Sequence, residues 1–402
     1  MISDIFNFNF FFINFSFSVK SYDQEVEEQA GRRKRSSAIA NTTEILTKLG
    51  YVSNSFEYFV RKVDENRQTQ SDLILTGKLL SAITNFASNF DKKMKLFNMG
   101  VVDSILAMVS NNKIEDSIKF GGFEFLAKVF LEKKIIWKYI LNKKMIDTIK
   151  EELIIINKEA FPEIPFLKRN TLKALLRIIQ CLSENPTILE KLFLEKIIEI
   201  IMDILLANKD KIDIVIAICD ALGSMAKKPH IIKEMVDFGI LELLMDFFDK
   251  YLQNLSGLRA FTWLIGEIGS NSNEAQEKLG MMAFPYIIIE GVKLYPQDLA
   301  LTNSSCLSLS WLCYTNNKIS EFIVKSEMIK PIAFNLVKNF VKEKELMGNV
   351  CLLISNLCFK NNPNKQFLGS LGSIDSLMYV MEFYTKKDRI DEKTLRNCLK
   401  YL

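Results

Sequence analysis

One short pattern returns along this chain at a nearly constant interval, and it limits the possible folds more than any other feature. Its clearest copies are KLFNMGVVDSILAMV, EMVDFGILELLMDFF and LGSLGSIDSLMYVME. Each has a short stretch of apolar residues at helical spacing, a glycine, and a second such stretch. Glycine at that point suits a left-handed helix end, because it has no Cβ to penalise a positive φ. Longer helical stretches follow, such as TGKLLSAITNFAS, RAFTWLIGEIGS and GNVCLLISNLCFK. With the landmark at Gly50, Gly100, Lys144, Lys196, Gly239, Met282, Glu327 and Gly372, the spacings are 50, 44, 52, 43, 43, 45 and 45. The longest spacing contains extra loop at residues 157–165, NKEAFPEIP.

The interval predicts three helices in each unit of about 43 residues. A single unit of that size cannot bury its apolar face, whereas stacked neighbours make one continuous core. Almost no segment alternates with the period of a strand, and the short gaps suit helix–helix turns. With 49% hydrophobic residues and only 8 prolines in 402 positions, the chain has apolar surface for such a core. The expectation is an all-α solenoid of about eight three-helix units over residues 41–402.

Charge and chemistry narrow the function. Lys and Arg number 52 against 48 Asp and Glu, a net +4 that gives no support for nucleic-acid or membrane binding by bulk charge. The single histidine, His230, argues against His-based catalysis and His-rich metal sites. It follows Lys227-Lys228-Pro229 at a helix start and reads as a capping or surface residue. Seven cysteines, at 181, 219, 306, 313, 351, 358 and 398, stand in apolar runs without a CxxC. That is the pattern of reduced intracellular thiols serving as small core residues. Cys306 and Cys313 are seven apart, as are Cys351 and Cys358, but two ligands per segment without histidine make a poor zinc site. No GxGxxG, Walker A, HExxH or GxSxG motif occurs. The sequence predicts a protein that is not an enzyme and takes no metal or cofactor.

The first forty residues differ from the rest. Residues 5–19, IFNFNFFFINFSFSV, hold seven of the 30 phenylalanines, interleaved with Asn and Ser. They are too short and too polar for a membrane span, and the start lacks the basic residues of a secretory signal. Residues 1–20 read as an accessory tail. Residues 21–40 read as a polar linker in which an acidic stretch gives way to Arg32-Arg33-Lys34-Arg35.

The segments SLSWLCYTN and LLISNLCFKNN, with NMGVVDSILAMV and the repeat phase over residues 41–402, resemble the armadillo units of the importin-α family of nuclear-import adaptors. The resemblance implies a right-handed armadillo-repeat superhelix whose third helices line a concave groove. It implies an adaptor that binds extended basic peptides, such as nuclear-localisation signals, in the cytoplasm and nucleus. Importin-β would be a further partner, and neither nucleic acid nor membrane would be bound. In that family a Trp and an Asn one turn apart recur along the groove. The Asn bonds the peptide backbone, and the Trp rings flank Lys and Arg side chains beside acidic residues. Here Asn85 and Asn356 match the Asn position and Trp263 matches the Trp position. Trp311 stands where Asn would be, Glu267 replaces the partner of Trp263, and no unit has both residues. Arg32, Arg33, Lys34 and Arg35 resemble a shortened form of the arm with which the family binds importin-β and competes with cargo.

The residues themselves point to a narrower site. Asp220, Trp263, Glu267 and Trp311 fall on the third helices of consecutive units. Aromatic faces beside carboxylates suit a Lys or Arg side chain through cation–π contact and ion pairing. A second reading stays open, in which Trp263 and Trp311 pack between units while Asn85 and Asn356 bond neighbouring backbone. The basic cluster likewise reads as a partner-binding arm, a localisation signal or a solvated linker. Beside the import adaptor stands an armadillo scaffold for cytoskeletal, ciliary or signalling complexes. A regulator of small GTPases would leave no trace in these residues.

Overall fold

A computed structural model describes residues 51–65, 67–131, 145–159, 164–314, 316–326, 329, 336–386 and 390–399. The Phe-rich stretch, the basic cluster Arg32–Arg35 and the landmarks Gly50, Lys144 and Glu327 lie outside the described residues.

Every element among the described residues is a helix, and six of the eight successive groups are triplets, with two helices described in each of the other two. The chain enters with α1 (Tyr51–Asp64) and α2 (Gln70–Phe86). A first full triplet follows: α3 (Phe90–Asn98), α4 (Val101–Val109) and α5 (Asp116–Phe130). Next come α6 (Met145–Lys158) and α7 (Phe166–Leu182), then α8 (Pro186–Leu194), α9 (Ile197–Ala207) and α10 (Ile212–Met225). The fifth group is α11 (Pro229–Asp237), α12 (Ile240–Tyr251) and α13 (Leu255–Asn271). The sixth is α14 (Asn273–Met281), α15 (Phe284–Leu294) and α16 (Leu299–Cys313). The seventh is α17 (Asn317–Lys325), α18 (Val337–Phe340) and α19 (Lys344–Cys358), and the eighth α20 (Asn362–Ser370), α21 (Ser373–Tyr384) and α22 (Glu392–Leu399). This is the all-α, three-helix-repeat solenoid that the spacing predicts. None of these helices is long and apolar enough to cross a membrane.

The landmark residues show why the spacing is so regular. Gly100, Gly239 and Gly372 precede the second helix with φ of 74°, 81° and 84°. Lys196 holds the same place with φ 59° and no glycine. Among the described landmarks Met282 alone differs: φ is −91°, and Pro285 in the first turn of α15 sets the next helix instead. First helices start on a recurring polar cap, with Asn89, Asn185, Ser272, Asn316 and Asn361 accepting from backbone N–H groups two or three residues on.

The chain divides into two compact units. One holds the described residues up to Thr148 with Phe166–Leu175, and the other holds Ile149–Pro165 with those from Leu176 on. In the first unit α2 packs on α5 and α1 on α4, around Phe123, Phe125, Leu80 and Ile83, all buried. In the second, the third helices α10, α13, α16, α19 and α22 pack side by side in chain order. Their joints carry hydrogen bonds that repeat with the sequence. Tyr251, Tyr295 and Tyr384, each at the end of a second helix, donate to the carbonyls of Lys209, Gln253 and Val341 at 2.9, 2.7 and 2.8 Å. Each acceptor follows the second helix of the preceding triplet, so one phenol clasps one unit to the next. Asn271 Nδ2 donates to Ala226 O, and Asn397 Nδ2 to Gly348 O, both at 3.0 Å, closing other joints.

Six of the seven cysteines are buried in this core and none forms a disulfide. No cluster of three His, Cys, Asp or Glu side chains that could hold a metal occurs among the described residues. His230 sits in the first turn of α11 beside Glu190 Oε2, 3.2 Å away, with its ring edge-on to Phe193.

Candidate functional site

Three neighbouring third helices of the second unit line an open cleft of about 360 Å³. Asp220 on α10 forms one wall, Arg259 and Trp263 on α13 the floor, and Ala300, Asn303 and Ser304 on α16 the other wall. Arg259 and Trp263 share it because they are four residues apart on one helix and so on one face. The Trp263 ring reaches α10 because Gly223 leaves room; a Cβ there would come within 2.5 Å of Cζ3. A bulky indole thus stands next to Asp220 by virtue of a glycine one turn beyond it.

The charges in the cleft are unequal in their commitments. Arg259 is held by Asp298, its Nε donating to Oδ1 at 2.9 Å and its Nη2 to Oδ2. That bond keeps the guanidinium's pKa above, and the carboxyl's below, their ordinary values. Asp298 also accepts from Leu301 N at 2.7 Å and so caps α16, which fixes the pair in place. Asn303 is engaged as well, donating to Glu345 Oε1 at 3.1 Å and accepting from Asn349 Nδ2 at 2.9 Å. Asp220 differs. No side chain among the described residues bonds its carboxylate, and burial pushes its pKa up to about 6. A desolvated carboxylate without a counter-ion is costly, and it is the cleft's one uncommitted charge among the described residues.

The residues singled out from sequence are thereby sorted. Asp220 and Trp263 come together in the cleft. Glu267 lies one turn further along α13 but is bonded by Lys227 Nζ at 2.6 Å, with its side chain only 16% exposed. Trp311 is not in the cleft. It packs edge-on to Tyr314, with its Nε1 buried and without a hydrogen-bond partner among the described residues, and its Cβ lies 3.3 Å from the position a Gly269 Cβ would take. Asn356 is buried and donates to Ser310 O on the preceding third helix at 2.8 Å. Asn85 is exposed on α2 in the other unit. Arg259 and Asn303 are additions. Arg259 stands one helical turn before Trp263 and Asn303 two turns before Trp311, so following the same helix faces backwards in steps of four residues finds both.

Neither the known protein families nor the curated proteins contain a match to this sequence. Solved structures do match. A designed armadillo repeat protein is 15% identical, with 64% of this chain and 98% of that one covered and a TM-score of 0.50. A chain from work on the phosphorylation switch that controls the interaction between cadherin and β-catenin is 10% identical, covering 86% of this chain and 60% of that one at a TM-score of 0.56. An engineered protein is 13% identical over 63% of this chain and 96% of its own, with a TM-score of 0.50. The fold is the armadillo repeat. At identities this low, the likeness of armadillo structures speaks for architecture alone, and the chemistry of this chain rests on its own side chains.

Proposed function

We propose that this armadillo-repeat chain is a protein-interaction adaptor that takes an extended peptide along its third helices, with a Lys or Arg side chain seated between Asp220 and Trp263. The observation that carries this reading is the uncommitted, desolvated carboxylate of Asp220 beside an indole in an open cleft. A peptide cation would supply the missing counter-charge, and the Trp263 face would add cation–π attraction. Because Arg259 is neutralised by Asp298, it does not repel that cation. The finer reading is an importin-α-like adaptor for nuclear-localisation signals. Its support is the repeat phase and the residues Trp263, Asn85 and Asn356.

A second reading, a scaffold outside nuclear import, is favoured by two contacts. Asn356 spends its amide on Ser310 O, and Glu267 is bonded by Lys227, so neither is disposed toward a ligand backbone or cation. The test is fluorescence anisotropy with an extended Lys/Arg-rich peptide and its Gln-substituted counterpart. The adaptor reading expects binding of the basic peptide only, weakened by Trp263→Ala by about 0.5–2 kcal/mol. Equal affinity for both peptides, or for both proteins at unchanged melting temperature, would leave the scaffold reading standing.

A further inference from the structure

Away from the cleft, the third helices carry buried thiols through the core of the second unit. Cys306 on α16, Cys351 on α19 and Cys398 on α22 are each fully buried. Cys351 and Cys398 meet across the joint between two triplets, their sulfur atoms 3.3 Å apart and in hydrogen-bond contact. An S–S bond of about 2.05 Å needs only a small further approach of two groups that already face each other. Cys398 is carried by a short helix, α22, of 8 residues, whose last residue Leu399 is 60% exposed.

We propose that Cys351 and Cys398 form a modification site, a dithiol that a small hydroperoxide converts into a disulfide joining α19 to α22. The two thiols divide the work. The hydrogen bond between the two sulfurs holds the Cys398 thiol below its ordinary pKa, while that bond and burial hold Cys351 well above it. Cys398 is therefore the nucleophile and Cys351 the resolving thiol.

In the first step the Cys398 thiolate attacks one peroxide oxygen. The S–O bond forms, the O–O bond breaks, the sulfur is oxidised by two electrons and hydroxide (or alkoxide) leaves. In the second step the Cys351 sulfur attacks the Cys398 sulfenic acid. The S–S bond forms, the S–O bond breaks, and the departing hydroxide takes the Cys351 proton as water. A hydroperoxide suits the site because it is small, whereas a bulky disulfide would have to displace α22 entirely. The product staples the third helix of the eighth group to that of the seventh, and thiol–disulfide exchange with an external dithiol reverses it.

The experiment treats the full chain with hydrogen peroxide under native conditions, alkylates it in denaturant, and maps the peptides with and without dithiothreitol. The expected result is a fall from seven alkylatable thiols to five and a Cys351–Cys398 linked peptide that dithiothreitol removes. Cys351→Ala should stop the reaction at the sulfenic acid, trapped by dimedone at Cys398. If that variant does not fold, the wild-type map decides alone. Seven alkylatable thiols after treatment, oxidation confined to the partly exposed Cys181, or links only between chains would each overturn the proposal.

Discussion

The indole of Trp263 rests against Gly223, close enough that a Cβ on Gly223 would meet its Cζ3 at 2.5 Å and its Cε3 at 2.8 Å. The glycine sits inside α10, where alanine would normally gain about 1 kcal/mol of helix propensity. Overpacking against a rigid ring costs about 1–3 kcal/mol, so the steric term should win. Gly223→Ala is expected to lower stability by about 0–2 kcal/mol in urea unfolding and, by displacing the indole, to weaken binding of a basic peptide. Gly77→Ala is the contrast. Its nearest outside atom is Ile118 Cδ1 at 3.7 Å, so that substitution within α2 should stabilise by about 0.5–1 kcal/mol.

Asp220 should be a residue whose removal stabilises the fold and abolishes its binding. Burial raises its folded-state pKa to about 6, above an unfolded value of about 3.9. A raised carboxyl favours folding while protonated, so its contribution is complete below about pH 4 and is lost as pH rises through about 6. At pH 7.5 the buried charge costs about 2–3 kcal/mol at most. Asp220→Asn should therefore unfold at higher denaturant than wild type at pH 7.5, with the gap closing toward pH 4. Cation binding runs the other way, since it needs the ionised form, and should weaken about tenfold between pH 7 and pH 5. A variant no more stable than wild type at pH 7.5 would mean that Asp220 is solvated after all.

The repeat was legible because it rests on local rules. Apolar spacing fixes which helix faces are buried, and a positive φ selects glycine, so Gly100, Gly239 and Gly372 announce their turns. The cleft was only half legible. Asp220 and Trp263 were found because their residue types are rare on a packed helix. Which other side chains remain available depends on pairings that no local pattern encodes. Lys227, forty residues from Glu267, bonds it, and Asp298, thirty-nine from Arg259, neutralises that residue. Asn356 looks the same in sequence whether it faces a peptide or Ser310, and only the packing of α19 on α16 decides.

Lys196 tests the landmark directly. It adopts φ 59° at a turn where three other units use glycine, and its exposed side chain pairs at the surface with Glu199 at 2.8 Å. A left-handed conformation costs a side-chain-bearing residue about 1–2 kcal/mol. Glycine relieves that but loses more conformational entropy on folding, about 0.5–1 kcal/mol. Lys196→Gly should thus raise stability by about 0–1 kcal/mol, read as a shift of the urea midpoint with unchanged slope. Lys196→Val, with a branched Cβ in the same conformation, should lower it.

Asn356 separates the two functional readings more sharply than any other residue. Its side chain is 5% exposed, and its amide donates to Ser310 O across the joint between α16 and α19. Losing that buried bond should cost about 1–3 kcal/mol, because truncation also leaves a poorly filled space. If Asn356 is purely an inter-repeat fastening, Asn356→Ala should lower the urea midpoint while leaving the affinity for a basic peptide unchanged well below the melting temperature. Asn85 supplies the control. It is exposed on α2, so Asn85→Ala should alter stability by less than about 0.5 kcal/mol. The result to look for is a double dissociation, with Asn356→Ala moving stability alone and Trp263→Ala moving binding. Should Asn356→Ala instead weaken peptide binding severalfold at constant stability, the amide leaves Ser310 when a ligand arrives. The groove would then work along α19 as well as at the Asp220 cleft.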